Sequence, residues 1–172
     1  MLSCAITGHR PKTLCLGGER TPICVELKEA IQSHLMLLYW KGVRQFYIGG
    51  ALGVDLWAGE LLLKLQKRSE YKDLQLILAL PFENYNMCWE QKDKERLEQL
   101  KSNSSQIIIV CEEVISPRLC YRLRNQYMVD HADCLLAVYN TSAPRTGTGM
   151  TVRYGEKRGI PIFLIQPEKF IV

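Results

Sequence analysis

The chain of 172 residues is long enough for one compact domain, since domains run ~100–200 residues, with a core burying roughly two-thirds of the unfolded surface. Apolar residues make up 47% and charged residues 23%, which excludes disordered and collagen-like classes. Lysine plus arginine number 22 against 18 acidic residues, and the resulting +4 permits a phosphate-bearing ligand without demanding nucleic acid.

Short apolar, β-rich runs alternate with longer helical patterns. Leu2–Thr7 reads as a buried strand ending at Gly8. Ile23–Trp40 reads as a helix, with Thr21 at the cap and Pro22 at its first position. Arg44–Ile48 is the second strand, followed by Gly49-Gly50. Val54, Trp57, Ala58, Leu61, Leu62 and Leu65 then recur at helical spacing as one continuous apolar stripe. Leu74–Leu80 is a strand running into Pro81, Trp89–Lys101 a charged amphipathic helix and Gln106–Val110 a strand. Arg118–His131 is an arginine-rich helix, Cys134–Tyr139 a strand, Met150–Lys157 a short helix and Ile160–Ile165 the last strand. The tail Gln166–Val172 reads as an edge segment or packing arm. The order βαβαβαβαβαβ, with strands lacking polar alternation, predicts one α/β domain over residues 1–172. Its architecture is a three-layer, Rossmann-like, doubly wound and mostly parallel sheet with helices on both faces.

The seven cysteines form no C-x-x-C pair and read as small buried hydrophobes in a reducing cytoplasm. The first residues lack the apolar stretch of a signal peptide or a membrane span, so a soluble, cytoplasmic protein is expected. The three histidines, at 9, 34 and 131, are far apart, and neither H-E-x-x-H nor G-x-S-x-G occurs, so neither a metal site nor a serine triad is expected.

In an open parallel sheet the ligand sits outside the carboxyl ends of the strands, where strand order reverses. The residues just after each strand are therefore the informative ones. Gly49, Gly50 and Gly53 in GGALGVD permit close backbone approach, and the helix behind them offers free N–H groups to an anion. The same pattern also suits a tight strand–helix turn. Asp55 in the first helical turn would repel a phosphate, and so suits a sugar hydroxyl or a loop-orienting contact. In GHRP, Gly8 allows close approach and Arg10 a two-pronged phosphate contact, while His9 suits acid–base work or a local hydrogen bond. Thr146–Gly149 offers a second phosphate cradle or a polar loop. On the arginine helix, Arg124 flanks the apolar face and can reach inward, whereas Arg118 and Arg122 point to solvent. Asp130 opposes the helix dipole and is expected to pair with an arginine.

GHRP, GGALGVD, PFE, RNQYMVD and GTG, in this order and on these elements, resemble the motifs of the YpsA-like family of bacterial Rossmannoid proteins. That family belongs to the SLOG superfamily, with the DNA-processing protein DprA and the LOG phosphoribohydrolases. The resemblance spans roughly Leu2 to Pro167. It implies a nucleotide-binding fold, ligands of the ADP-ribose or NAD type, and a link to division control, with no settled reaction. By position it assigns ligand contacts to Gly8, Arg10, Gly49, Gly50, Gly53, Asp55, Glu83, Arg124, Asn125, Gly147 and Thr148, and His9 and Pro81 of the same loops are expected beside them. LOG enzymes carry P-G-G-x-G-T-x-x-E, with a catalytic glutamate. Here Gly147-Thr148 keeps the glycine–threonine pair, but Thr151 stands at the glutamate position and the Pro-Gly-Gly is missing. A nucleotide-derivative sensor is thus the first expectation. An N-glycosidic hydrolase using Asp55, Glu60 or Glu83 and a DprA-like nucleic-acid binder are the alternatives, and self-association is common among such folds.

Overall fold

The computed structural model describes residues 1–14, 17–142 and 146–170. The apolar runs become six strands: β1 (Leu2–Gly8), β2 (Val43–Ile48), β3 (Gln75–Leu80), β4 (Gln106–Ile109), β5 (Cys134–Val138) and β6 (Ile162–Ile165). All pair in parallel, in the order β4-β3-β2-β1-β5-β6. Successive side chains of a strand point to opposite faces, and here both faces are apolar. Cys4, Ile6, Phe46, Ile48, Leu76, Leu78, Leu136 and Val138 pack on one side. Ala5, Tyr47, Ile77, Ala79, Leu135 and Ala137 pack on the other.

The helices are α1 (Pro11–Leu14), α2 (Pro22–Trp40), α3 (Val54–Gln66), α4 (Gln91–Asn103), α5 (Pro117–Asp130) and α6 (Gly147–Arg158). The first core layer takes Leu27, Ile31 and Leu35 of α2, Trp57 and Leu62 of α3, and Leu97 and Leu100 of α4. The second takes Met128 and Val129 of α5 and Val152 of α6. This is the three-layer, Rossmann-like arrangement the sequence predicts. From β1 the chain steps outward to β4, then returns to place β5 on the other side of β1. The strand order therefore reverses between β1 and β5.

Local chemistry sets the boundaries. Thr21 accepts the Cys24 N–H at 3.4 Å with Pro22 in the first turn, and Ser116 accepts the Leu119 N–H at 3.3 Å with Pro117 likewise placed. α6 starts at Gly147 rather than Met150, because the Thr146 hydroxyl caps it by accepting the Gly149 N–H at 3.0 Å. Two glycines of poor helix propensity hide that first turn from a pattern reading. The last strand starts at Ile162 rather than Ile160, and the Pro161 carbonyl before it accepts the Leu135 N–H at 2.9 Å. The short α1 and the 3₁₀ turn Ser69–Tyr71 have no periodic signal. In the tail, Pro167–Phe170 is a packing arm with Pro167 buried and Phe170 against the core, while residues 171–172 lie outside the described residues. Asp130 pairs with Arg158 at 3.2 Å. Cys4, Cys111, Cys120 and Cys134 are buried free thiols as expected, but Cys88 is exposed and Cys24 is disulfide-bonded, and Cys15 lies outside the described residues.

One ion network joins elements distant in sequence. Arg96 of α4 donates to both oxygens of Glu60 on α3 at 2.5 and 3.0 Å, and to Glu19 at 2.9 Å. Glu19 also accepts from Lys28 of α2 at 2.7 Å. Burial pushes the Glu19 carboxyl up, but Arg96 and Lys28 outweigh it and hold the group at about 2, below the ordinary 4.5. A carboxyl depressed on folding stabilises the fold above its unfolded pKa and loses that contribution as pH falls through the folded one. The stability difference between wild type and Glu19→Gln, measured by urea denaturation, should therefore be present at pH 6 and shrink between pH 4.5 and about 2. A difference that stays constant across that window would show that the carboxylate charge does not hold this junction.

Candidate functional site

β1 and β5 end side by side, and the loops leaving them diverge because the helices that follow cover opposite faces. His9 bridges the two. Its backbone N–H donates to the Val138 carbonyl at 3.3 Å, and its Nε2 accepts the Asn140 N–H at 3.1 Å. A backbone N–H can only donate, so Nε2 is the bare nitrogen and the ring proton sits on Nδ1. Burial pulls the His9 pKa below its ordinary value, against the opposing pull of Glu168, so the ring is neutral at pH 7. Of its two sequence readings, local hydrogen bonding is the one the geometry displays.

Arg124 of α5 is the centre of the arrangement. It is only 4% exposed, yet it makes one long bond, from Nη1 to Asp55 Oδ2 at 3.3 Å, and its Nε has no partner among the described residues. Burial of a charge is expensive unless it is paired and fully hydrogen-bonded. Asp55, at the start of α3, supplies the countercharge and also accepts the Ala51 N–H at 3.1 Å. Burial pushes the Asp55 carboxyl up, and Arg124 together with the loop amides pulls it back. The loop-orienting alternative for Asp55 is thus realised.

The guanidinium fills the space beside Gly49. A Cβ there would fall 1.2 Å from Arg124 Nη1. At Gly50, with φ +64°, a Cβ would meet the Tyr85 hydroxyl at 2.6 Å and Leu80 at 2.7 Å, and that hydroxyl donates to the Gly50 carbonyl at 2.7 Å. Gly8 lies against Val54, and Gly53 against the His9 carbonyl and Pro11. The close approaches these glycines permit are to the protein's own groups. Gly147 differs, because nothing stands within 4 Å of the Cβ position there.

That open glycine starts α6. Thr146 uses the Gly149 N–H through its hydroxyl and the Met150 N–H through its carbonyl. The N–H groups of Gly147 and Thr148 remain as helix-terminal donors. Both residues line the same cavity as Arg124. This cavity, about 360 Å³, is walled by Gly8, His9, Arg10, Asp55, Arg124, Asn125, Gly147 and Thr148. It also takes in Thr146 of the expected Thr146–Gly149 loop, together with Thr7, Ala51 and Tyr121, which the sequence reading did not select as contacts. Tyr121 lies one helical turn before Arg124, with the Arg10 and Arg124 guanidinium carbons each 5.9 Å from its ring centre. Arg10 is exposed and forms no ion pair among the described residues. Gly49, Gly50, Gly53, Pro81 and Glu83 lie outside the cavity wall. Pro81 and Glu83 follow β3, two strands from the switch point, and Glu83 is exposed. A larger depression of about 730 Å³ runs along α4, but its Lys101–Glu98 and Gln91–Glu95 pairs are already satisfied by one another. Arg124, the charged residue with an unpartnered buried donor, lines the smaller cavity.

The family profile YpsA, described as the YspA SLOG family, matches residues 4–170. The chain belongs to this family. Among its relatives, the UPF0398 protein YpsA of Bacillus subtilis (strain 168) is 29% identical over 164 residues, covering 94% of this chain and 90% of the relative. A UPF0398 protein of Bacillus cereus (strain B4264) is 29% identical over 140 residues, covering 81% and 75%. Among solved structures, DNA processing protein A from Helicobacter pylori, studied for its single-stranded DNA binding mode, superposes with a TM-score of 0.62 at 20% identity. The alignment covers 95% of this chain and 64% of that one, so the chain spans less than two-thirds of its neighbour's length. At that identity the likeness establishes the shared Rossmann-like fold.

If Gly49 is the seat of Arg124, Gly49→Ala must displace the guanidinium and destabilise the protein. In an Arg124→Ala background the same glycine change should cost far less. The double-mutant cycle by denaturant unfolding should give a coupling above ~1 kcal/mol. Additive effects would mean that the glycine is set by backbone conformation and not by the arginine.

Proposed function

We propose that this SLOG-family protein binds a nucleotide or nucleotide derivative of the ADP-ribose or NAD type at the β1/β5 switch point, and acts as a sensor or regulator. One observation carries the reading: a buried, under-bonded Arg124 and the first residues of helix α6 line one cavity at the point of strand reversal. A phosphate there would give Arg124 its missing acceptor and take the Gly147 and Thr148 N–H groups. Arg10 at the mouth would add a second cation, and the Tyr121 ring a face for a base or ribose. His9 Nδ1–H would supply a neutral donor.

A hydrolytic reading has Asp55 as the one carboxylate in the cavity wall, because Glu60 is held by Arg96 and Glu83 is outside. Asp55 is itself engaged by Arg124 and Ala51, and Thr151 donates to the Gly147 carbonyl at 3.0 Å where LOG enzymes have glutamate. This favours binding over N-glycosidic cleavage. The fold shared with DNA processing protein A, together with exposed Arg118 and Arg122 on α5, supports single-stranded DNA as the second reading.

Calorimetric titration separates these. ADP-ribose and AMP should bind, and adenosine should bind much more weakly. Arg10→Ala should weaken the phosphorylated ligands by ~10–150-fold, the scale of ~1.5–3 kcal/mol for a charge-assisted hydrogen bond, and leave adenosine unchanged. Equal affinity for AMP and adenosine would refute the phosphate site. Release of free base on prolonged incubation would favour the hydrolase, and salt-dependent binding of oligonucleotides without mononucleotide binding would favour the DNA reading.

A further inference from the structure

The opposite end of the sheet carries an apolar anchor with a charged surround. Trp40 and Leu37 stand one turn apart at the end of α2, 68% and 46% exposed. Leu2, 47% exposed, extends the patch, since it pairs in register with Val43 and its side chain would lie 3.6 Å from a Cβ on Gly42. Trp40 is held by an aromatic base. Its ring meets Tyr39 and Tyr71 edge-on at 5.8 and 6.2 Å, and both tyrosines are buried. An indole held in this way loses little freedom on binding, which is the character of an interface hot spot.

The polar groups next to this patch fall into two sets. Arg44 lies over the Tyr39 ring and pairs with Asp73 at 2.7 Å, and Arg68 lies over the Tyr71 ring and pairs with Glu70 at 3.3 Å. Lys41 follows Trp40, Lys67 precedes Arg68 and Lys72 follows Tyr71. These three lysines are exposed and form no ion pair among the described residues. The local carboxylates are therefore spent and the residual charge is positive.

We propose that this patch docks another protein through a segment that combines acidic side chains with an apolar one. The apolar residue would close over Trp40 and Leu37, and the carboxylates would meet Lys41, Lys67 and Lys72. A second copy of this chain is the poorer fit, because a two-fold contact would set the same lysines against each other. The inference is independent of the nucleotide site, which lies at the other end of every strand.

A photo-reactive phenylalanine analogue placed at Leu37 in the native host, followed by mass spectrometry of the cross-linked peptides, tests it. The expected product joins residue 37 to a segment of another protein that is net acidic and contains a large apolar residue. Its yield should fall at least tenfold in Trp40→Ala and in Lys41→Glu/Lys72→Glu backgrounds. Trp40 is exposed, so circular dichroism and melting should confirm that these variants remain folded. Cross-links only to this chain, only to lipid, to a basic segment, or to nothing overturn the proposal, as does a yield unchanged by either variant.

Discussion

The burial of the Arg124 guanidinium is the constraint to which the site answers. A charge held in the interior without full compensation costs several kcal/mol, so the surroundings of Arg124 are arranged to offset that cost. Asp55 brings the countercharge from α3, and Gly49 gives up its side chain so that the planar group can lie on the β2 loop. The loop amide of Ala51 then fixes Asp55. Three elements meet at this point, and the bond that joins the two charges is long. The arrangement keeps a cation in low dielectric with donor capacity in reserve.

Strand order converts this arrangement into a cavity. If β5 had followed β4 outward on the same side, α5 and α6 would not have left a crevice beside β1. Because it returns across β1, the α6 N-terminus, the His9 loop and the inner face of α5 converge. The α6 N-terminus and Arg124 then border one volume. The other end of the sheet is chemically unlike it, an apolar knob among unpaired lysines.

Much of this is legible in the sequence. Alternating faces of apolar strands and helix stripes such as Val54–Leu65 follow from periodicity, and the doubly wound architecture follows from their order. The inward reach of Arg124 follows from its place beside the apolar face of its helix, and the solvated state of Arg118 and Arg122 from theirs. The use of the glycines was not legible. A glycine signals that something comes close, but whether it is a phosphate, a guanidinium or a tyrosine depends on residues 35 or more positions away, such as Tyr85 and Arg124. Tyr121 escaped for a related reason: nothing in its own helix tells that a loop more than a hundred residues earlier places Arg10 beside it. Pro81 and Glu83 occupy the expected position after a strand, but their strand lies too far from the switch point.

The most direct test of the central claim is a ¹H–¹⁵N NMR titration with ADP-ribose that follows backbone amides together with arginine Nε–H signals. The account predicts saturable shifts at Gly147, Thr148 and Arg10, with the Arg124 Nε–H moving downfield and exchanging more slowly as it gains an acceptor. Shifts confined to the α4 depression or to the Trp40 end of the sheet, with Arg124 unmoved, would contradict it.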